Sequence, residues 1–208
     1  MRYTWIDEYL LKKRAVEKDL KKEWNWIRYQ IGGKMFAAIC LDRDDRPYYI
    51  NLKLEPLEGE FLRTQYPDII PGYYSDKRHW NSVNPDGEVP DDLLKDLLDK
   101  SYQLVLAGFS KKRQREILGF SCCGTECAAC SYYKNMCQGC NETNGKVFHA
   151  PAGQSCSIYQ CSVHKNKFAT CASCGNLPCE IWRATKDPQM SQSEFDASIQ
   201  DRVRALKS

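Results

Sequence analysis

The chain has 208 residues, twelve cysteines and a formal net charge of +3. This length accommodates two domains, and the small net charge excludes a protein that holds nucleic acid by its overall charge alone. The charged amino terminus and the lack of an apolar run of about 18 residues lead us to expect a cytoplasmic protein that does not enter a membrane.

The first predicted element is an amphipathic helix that begins near Thr4. Its aromatic and aliphatic residues, among them Trp5, Tyr9, Val16 and Trp24, fall near helical spacing between charged residues. The first two dozen residues are therefore predicted to be helical.

The next segment has the pattern of a β-hairpin. Aromatic and β-branched runs occupy residues 26–31 and 35–40, and Gly32-Gly33 between them can supply the positive φ angles of a tight turn. A third strand is predicted at residues 48–53, after a polar turn at residues 42–47. Three consecutive strands of this kind make an antiparallel meander.

The rest of this half is predicted to combine helices with one short strand. Residues 56–66 have the spacing of a short helix, and the prolines of residues 67–72 then enforce a loop. Residues 79–83 read as a strand. Pro90 suits the first turn of a long helix whose apolar stripe ends before Gly108. The fold class predicted for this half is α+β, with about 110 residues available for its own core.

The most specific motif of this half is Lys77-Arg78-His79-Trp80-Asn81-Ser82-Val83. Further motifs are residues 31–37, 51–53, 65–67, 71–73 and 101–102. In this order and spacing, these motifs resemble the MmcQ/YjbR family. The resemblance covers roughly residues 2 to 118. It implies a CyaY-like α+β fold, an antiparallel sheet with flanking helices described as a double wing, for which DNA binding has been proposed.

The resemblance also points to residues that would meet DNA. The basic motif residues beside a hairpin or a loop are Lys34, Lys53, Lys77 and Arg78. Such cations contact phosphates and position a protein on DNA without reading its sequence. Trp80 either stacks on an unpaired base or packs under the sheet. His79 has no evident carboxylate or thiol partner in the sequence, so we expect a structural histidine.

Eleven of the twelve cysteines fall between Cys122 and Cys179, and three C-x-x-C pairs occur among them. Because thiols stay reduced in the cytoplasm, this density indicates metal ligation rather than disulfides. The segment of about residues 121–185 resembles a cysteine-rich bacterial and archaeal domain of unknown function, which implies a small metal-stabilised domain. The predicted ligands are Cys123, Cys127, Cys130, Cys137, Cys140, Cys156, Cys161, Cys171, Cys174 and Cys179.

Structural zinc, at about two ions per chain, is the leading cofactor hypothesis. One possible partition places Cys127, Cys130, Cys137 and Cys140 on one ion. Four of Cys156, Cys161, Cys171, Cys174 and Cys179 would then hold the other. Spacing alone does not say which pairs meet, and His149 and His164 are possible substitute ligands.

An iron–sulfur cluster is the alternative cofactor. Cys123-x-x-x-Cys127-x-x-Cys130 has the spacing of radical S-adenosylmethionine enzymes, but only 78 residues follow Cys130, which is short for the barrel of that class. The ferredoxin cysteine pattern is absent. Thiol redox chemistry would need a thioredoxin-like unit, which the pattern does not indicate. Cys40 is predicted to be a small core residue.

Together these observations predict residues 1–118 as the YjbR-like domain, 119–185 as the cysteine-rich domain and 186–208 as a helical tail. The predicted function is DNA binding without catalysis, with the zinc module as a possible contact for a protein partner. Two alternatives stay open: an iron–sulfur or thiol redox protein, and a small-molecule or protein-interaction scaffold that uses Tyr73, Tyr74 and Trp80.

Overall fold

The computed structural model describes residues 1–207. The chain folds into two compact units, Met1–Gly108 and Phe109–Ser208. The division falls between Gly108 and Phe109, and the domain boundary after residue 118 that the sequence indicated stays a prediction. No helix within residues 1–207 is long and apolar enough to cross a lipid bilayer.

The first unit is built on one antiparallel sheet of six strands. The strands are β1 (Val16–Lys21), β2 (Trp26–Ile31), β3 (Lys34–Leu41), β4 (Pro47–Lys53), β5 (Ile69–Pro71) and β6 (Trp80–Val83). Their order across the sheet is β1-β2-β3-β4-β6-β5. The predicted hairpin and meander are confirmed, and Gly32 and Gly33 form the hairpin turn with φ angles of 55° and 79°.

Three helices complete this unit: α1 (Ile6–Leu11), α2 (Pro56–Gln65) and α3 (Asp91–Ala107). Helix α3 packs on β3 and β4. Its apolar stripe, predicted from the sequence, is buried and includes Leu94, Leu97 and Leu98, each 0% exposed. The α+β class predicted for this half is confirmed.

The prediction was wrong for the first two dozen residues. The helix ends at Leu11, and Ala15 adopts a positive φ of 56° before β1 begins. Strand β1 is an edge strand whose residues are mostly exposed, so it lacks the alternation of apolar and polar residues that marks a half-buried strand. The three-residue edge strand β5 was likewise predicted to be a loop, because its Pro71 and the nearby Pro67 and Gly72 are typical of turns.

The second unit consists of short helices and turns. It contains α4 (Lys111–Leu118), α5 (Ser157–Tyr159), α6 (Glu180–Arg183) and α7 (Gln192–Lys207). Helix α5 continues directly as a π-helix over Gln160–Lys165, and single 3₁₀ turns occur at Cys127–Ala129 and Cys171–Ser173. Its largest fully buried side chains are Trp182 and Tyr159, each 1% exposed. Helix α7 packs on the Cys171–Ser173 turn.

Candidate functional sites

The face of the sheet that carries Trp26 holds a row of aromatic side chains. Ile39 pairs with Ile50 and Ile50 with Val83, all buried, and side chains alternate between faces along each strand. Cys40 and Tyr49 therefore point to the opposite face. There Trp26, Ala38 and Cys40 form a separate small buried cluster against Met35, Tyr48 and Tyr49. The expected core position of Cys40 is confirmed, and burial raises the pKa of its thiol to about 12.

The loop of residues 72–79 folds back over this face. The ring of Tyr73 lies 5.4 Å from that of Tyr49, and the ring of Tyr74 lies 6.4 Å from that of Trp26. The hydroxyl of Ser82 accepts a hydrogen bond from the backbone N–H of Tyr73 at 3.1 Å. The loop is therefore tied to the sheet. We call the seven aromatic residues of this surface the aromatic face: Trp24, Trp26, Tyr48, Tyr49, Tyr73, Tyr74 and Trp80.

A pocket of about 530 Å³ opens on the aromatic face. Its lining consists of Trp24, Trp26, Met35, Tyr48, Tyr74, Ser75, Asp76 and Trp80. Trp24 is 52% exposed and Tyr74 is 65% exposed, so rings of the lining are accessible from solvent. A concave site of this size, lined mainly by aromatic groups with a few polar ones, has the character of a binding pocket.

Asp76 is the charged residue of the pocket lining. Its Oδ2 lies 2.6 Å from Nδ1 of His79, and its Oδ1 accepts a hydrogen bond from the backbone N–H of Arg78 at 3.0 Å. The contact with His79, followed by that with Arg78, lowers the pKa of the Asp76 carboxyl. The pocket therefore carries a negative charge at neutral pH. The sequence-based view that His79 lacks a carboxylate partner was wrong, because Asp76 stands three residues before it.

The five residues predicted to meet DNA lie at one end of the sheet. Lys34 begins β3, Lys53 ends β4, and Trp80 begins β6. Lys77 and Arg78 lie three and two residues before Trp80. Strand β4 runs antiparallel to both neighbours, so these strand termini lie at the same end of the sheet, and Lys53 pairs directly with Trp80. Lys34, Lys77 and Arg78 are exposed, whereas Lys53 and Trp80 are half-buried. Trp80 contributes to the pocket wall.

The sequence missed most of the pocket. The sequence did not predict a role in binding for five residues of its lining: Trp24, Trp26, Met35, Tyr48 and Asp76. The alternation along β2 and β4 could have placed Trp26 and Tyr49 on one face, but the return of the 72–79 loop over that face depends on tertiary contacts that no local pattern encodes.

In the second unit the cysteines are free thiols, as is Cys40 in the first. Within residues 1–207, no group of three or more His, Cys, Asp or Glu side chains is arranged to hold a metal ion as it stands. The predicted ligands nevertheless gather around one small pocket and around Cys127 and Cys140, and Cys123 lies close enough to act on both Cys171 and Cys140.

Four cysteines line one small pocket of about 30 Å³: Cys161, Cys171, Cys174 and Cys179. They come from three elements. Cys161 lies in the π-helix, Cys171 and Cys174 flank a 3₁₀ turn closed by a hydrogen bond from the N–H of Cys174 to the carbonyl of Cys171 at 3.0 Å, and Cys179 precedes α6. Apolar side chains, including Ile158, complete the wall.

Polar groups surround these thiols. Burial raises the pKa of Cys171 to about 11, and the neighbouring Ser162 and Trp182 oppose that rise. The Oγ of Ser162 is buried without a hydrogen-bond partner, so Ser162 acts on Cys171 through its proximity and not through a formed hydrogen bond. Asn166 Nδ2 donates to the carbonyl of Cys161 at 2.8 Å and lies 3.5 Å from its sulfur.

The second group consists of Cys123, Cys127, Cys137 and Cys140. Burial raises the pKa of Cys127 to about 11, and Cys123 and Cys137 act in the same direction because they are close by. Burial also raises the pKa of Cys140, with Cys123, Cys156, Cys127 and Cys137 contributing. The backbone N–H of Gly139 donates to the sulfur of Cys137 at 3.4 Å. The backbone N–H of Cys130 donates to the carbonyl of Cys127 at 3.1 Å.

The first unit is thus an α+β domain with an aromatic pocket on the sheet face that carries Trp26. The YjbR family profile matches residues 11–104. The chain belongs to the YjbR family through this unit, which confirms that part of the sequence-based identification.

Two relatives and one solved structure illustrate the relationship. YbdF of Escherichia coli O157:H7, an uncharacterized protein, is 39% identical over 89 residues, or 43% of this chain and 71% of YbdF. YjbR of Escherichia coli K12, also uncharacterized, is 31% identical over 96 residues, or 46% of this chain and 80% of YjbR. The crystal structure of Deinococcus radiodurans protein DR2400, with the family domain DUF419, superposes with a TM-score of 0.50 at 31% identity, covering 54% of this chain and 84% of that protein.

Proposed function

We propose that the first unit binds single-stranded nucleic acid, and DNA in the first instance, across the aromatic face. The observation that carries the proposal is the open pocket of aromatic rings next to the cationic end of the sheet. Bases stack in the pocket, and phosphates meet Lys53, Lys77 and Arg78. The proposal narrows the sequence-based expectation of DNA binding to one surface and one form of the polymer.

The aromatic rings supply the main binding energy. Every base has a flat face, and stacking of one base on an aromatic side chain contributes roughly 1–3 kcal/mol with little sequence preference. Trp24 and Tyr74 are the exposed rings of the lining, so they meet the bases first. Because a duplex hides the faces of its bases, this surface favours an unpaired strand.

The cations supply the part of the binding free energy that depends on salt. Within residues 1–207, the side chains of Lys77 and Arg78 are exposed and make no ion pair, whereas Arg28 of β2 is bound to Asp19. Cations without a protein partner can neutralise phosphates and release counterions, which makes affinity fall as salt rises. With a net charge of +3, such local contacts matter more than the total charge.

The experiment is a fluorescence anisotropy titration of the full chain with a labelled, mixed-sequence single strand and the matching duplex, at several salt concentrations. Lys77→Ala/Arg78→Ala should weaken binding and reduce the slope of log affinity against log salt by about 0.7 for each lost phosphate contact. The control Lys12→Ala/Arg43→Ala removes the same charge from two exposed sites outside this end of the sheet. It should change neither the affinity nor the salt slope.

The rings are tested in the same assay. Trp24→Ala or Tyr74→Ala should weaken single-strand binding about fivefold to a hundredfold, on the order of the stacking energy of one base. Phe61→Ala removes an exposed aromatic ring of α2, 62% exposed, and should have no effect. Affinity that does not respond to salt, or equal losses for Trp24→Ala and Phe61→Ala, would rule out the proposal.

Asp76 favours a second candidate function, the binding of a small organic cation. Rings around a carboxylate attract alkylated ammonium groups through cation–π and charge interactions. A quaternary ammonium compound such as tetraethylammonium, titrated against tryptophan fluorescence, tests this candidate. Asp76→Asn should abolish cation binding, whereas it should leave single-strand binding intact or strengthen it.

A further inference from the structure

We propose that Cys161, Cys171, Cys174 and Cys179 form one four-thiolate zinc centre in the second unit. This inference goes beyond the nucleic-acid proposal and does not depend on it, because it concerns a different unit and a different readout. It also selects one partition among those that the cysteine spacing left open.

The four residues share one small pocket. They are the cysteines that line the pocket of about 30 Å³, which exceeds the roughly 10–15 Å³ that a water-sized occupant needs. Cys171 and Cys174 form a C-x-x-C turn, the usual element with which two sulfurs of a structural zinc site are presented. Cys161 and Cys179 come from separate elements, so the ion would join three segments of the unit.

The donor set selects the metal. Four thiolates form the tetrahedral shell of structural zinc and leave no position open for substrate water. Hard cations such as Mg²⁺ and Ca²⁺ require oxygen ligands, which this set of donors does not supply. Each cysteine loses its proton as its sulfur binds, so four protons leave when one Zn²⁺ enters.

The surrounding polar groups suit bound thiolates. Ser162 is 3% exposed, lines the pocket, and its Oγ has no hydrogen-bond partner. A thiolate at Cys171 would give this hydroxyl an acceptor. The amide of Asn166 lies 3.5 Å from the Cys161 sulfur. Donors of this kind orient ligands and stabilise their charge in metal sites.

The four sulfurs must come closer together to bind an ion, since within residues 1–207 they do not form a ready-made ligand shell. Metal binding is then coupled to local ordering. The π-helix that carries Cys161 is relevant here, because single π turns occur preferentially at functional positions of helices.

The test measures zinc by elemental analysis on full chain purified without oxygen, with the visible spectrum recorded alongside. Cys171→Ser/Cys174→Ser should contain one zinc fewer per chain than the parent protein. Cys40→Ala, which removes a buried thiol from the other unit, should keep the parent zinc content. Equal zinc in the parent and the double variant would overturn the proposal, as would iron with acid-labile sulfide in the parent protein.

A second variant keeps the test decisive if the double variant fails to fold. Cys179→His retains a metal-binding side chain, so it should keep its zinc. After replacement of zinc by Co²⁺, its spectrum should show weaker thiolate charge-transfer absorption than that of the parent protein, because one sulfur is lost. An unchanged Co²⁺ spectrum would exclude Cys179 as a ligand and overturn the four-residue assignment.

Discussion

Ser101 shows how one side chain supports the candidate nucleic-acid surface. It is fully buried on α3. Its hydroxyl donates to the carbonyl of Phe36 at 2.5 Å and accepts from the backbone N–H of Lys53 at 2.7 Å. One hydroxyl therefore satisfies a donor at the end of β4 and an acceptor in β3, and it fixes the backbone beside Trp80.

Ser101→Ala should lower the free energy of unfolding of the first unit by about 2–6 kcal/mol, because it leaves two backbone groups unpaired and each costs about 1–3 kcal/mol. Urea denaturation followed by tryptophan fluorescence measures the change. Thr64→Ala, which removes a hydroxyl from the exposed surface of α2, should change stability little. A loss below 1 kcal/mol for Ser101→Ala would mean that water replaces the missing hydroxyl.

At the scale of single residues, the sequence predicted a residue's environment correctly where that environment depends on neighbours in the sequence. Cys40 as a core residue followed from its place at the end of an apolar run. The pairing of Asp76 with His79 was missed, although the two are three residues apart, because it depends on the turn that brings both side chains to one side. The burial of Ser162 beside Cys171 joins residues on two elements and had no local signal.

At the scale of elements, the 72–79 loop decides whether the pocket exists. The loop begins at Gly72, whose N–H donates to the carbonyl of Trp80 at 2.8 Å. A Cβ at this position would lie 2.7 Å from Cβ of Trp80, which is closer than such atoms approach in proteins. Only glycine lets the loop start so close to β6.

Gly72→Ala should therefore displace the loop and weaken single-strand binding, while the sheet stays folded. Anisotropy titration measures the affinity, and far-ultraviolet circular dichroism checks the fold. Gly175→Ala is the matched control, because its Cβ would meet nothing within 4 Å. Unchanged affinity in Gly72→Ala would mean that the loop is not part of the binding surface.

The elements that the sequence predicted correctly have a strong hydrophobic periodicity or clear turn and helix-start residues. They are the hairpin at Gly32-Gly33, β4, α2 and α3. The prediction was wrong for β1, because an exposed edge strand needs no apolar face. Its few apolar residues happened to fall at helical spacing, which favoured a helix. The cationic motif residues were found by resemblance, whereas the aromatic pocket required the fold.

At the scale of the whole molecule, the two units differ in how they are stabilised. The first has a continuous sheet and a buried helix stripe. In the second, most elements between α4 and α7 are three to six residues long. Segments this short gain little from secondary structure alone, so a metal would contribute a large share of their stability.

Removal of metal by a strong chelator should therefore unfold much of the second unit and leave the first folded. Amide hydrogen exchange followed by mass spectrometry should show faster exchange in residues 156–183 and unchanged protection in β2–β4. Addition of Zn²⁺ after removal of the chelator should restore protection. Equal loss of protection in both units would indicate that the two unfold together, and no loss would indicate that metal is not structural.

The edges of the sheet have a consequence for self-association. The outer strands are β1, whose exposed residues Glu17, Lys18 and Asp19 alternate in charge, and β5, which has three residues and ends at Pro71. Charged, short or proline-containing borders resist pairing with strands of another molecule, the contact that starts amyloid-like polymerisation. The protein can thus expose a broad aromatic surface at high concentration while its hydrogen-bonding borders stay closed to further strands.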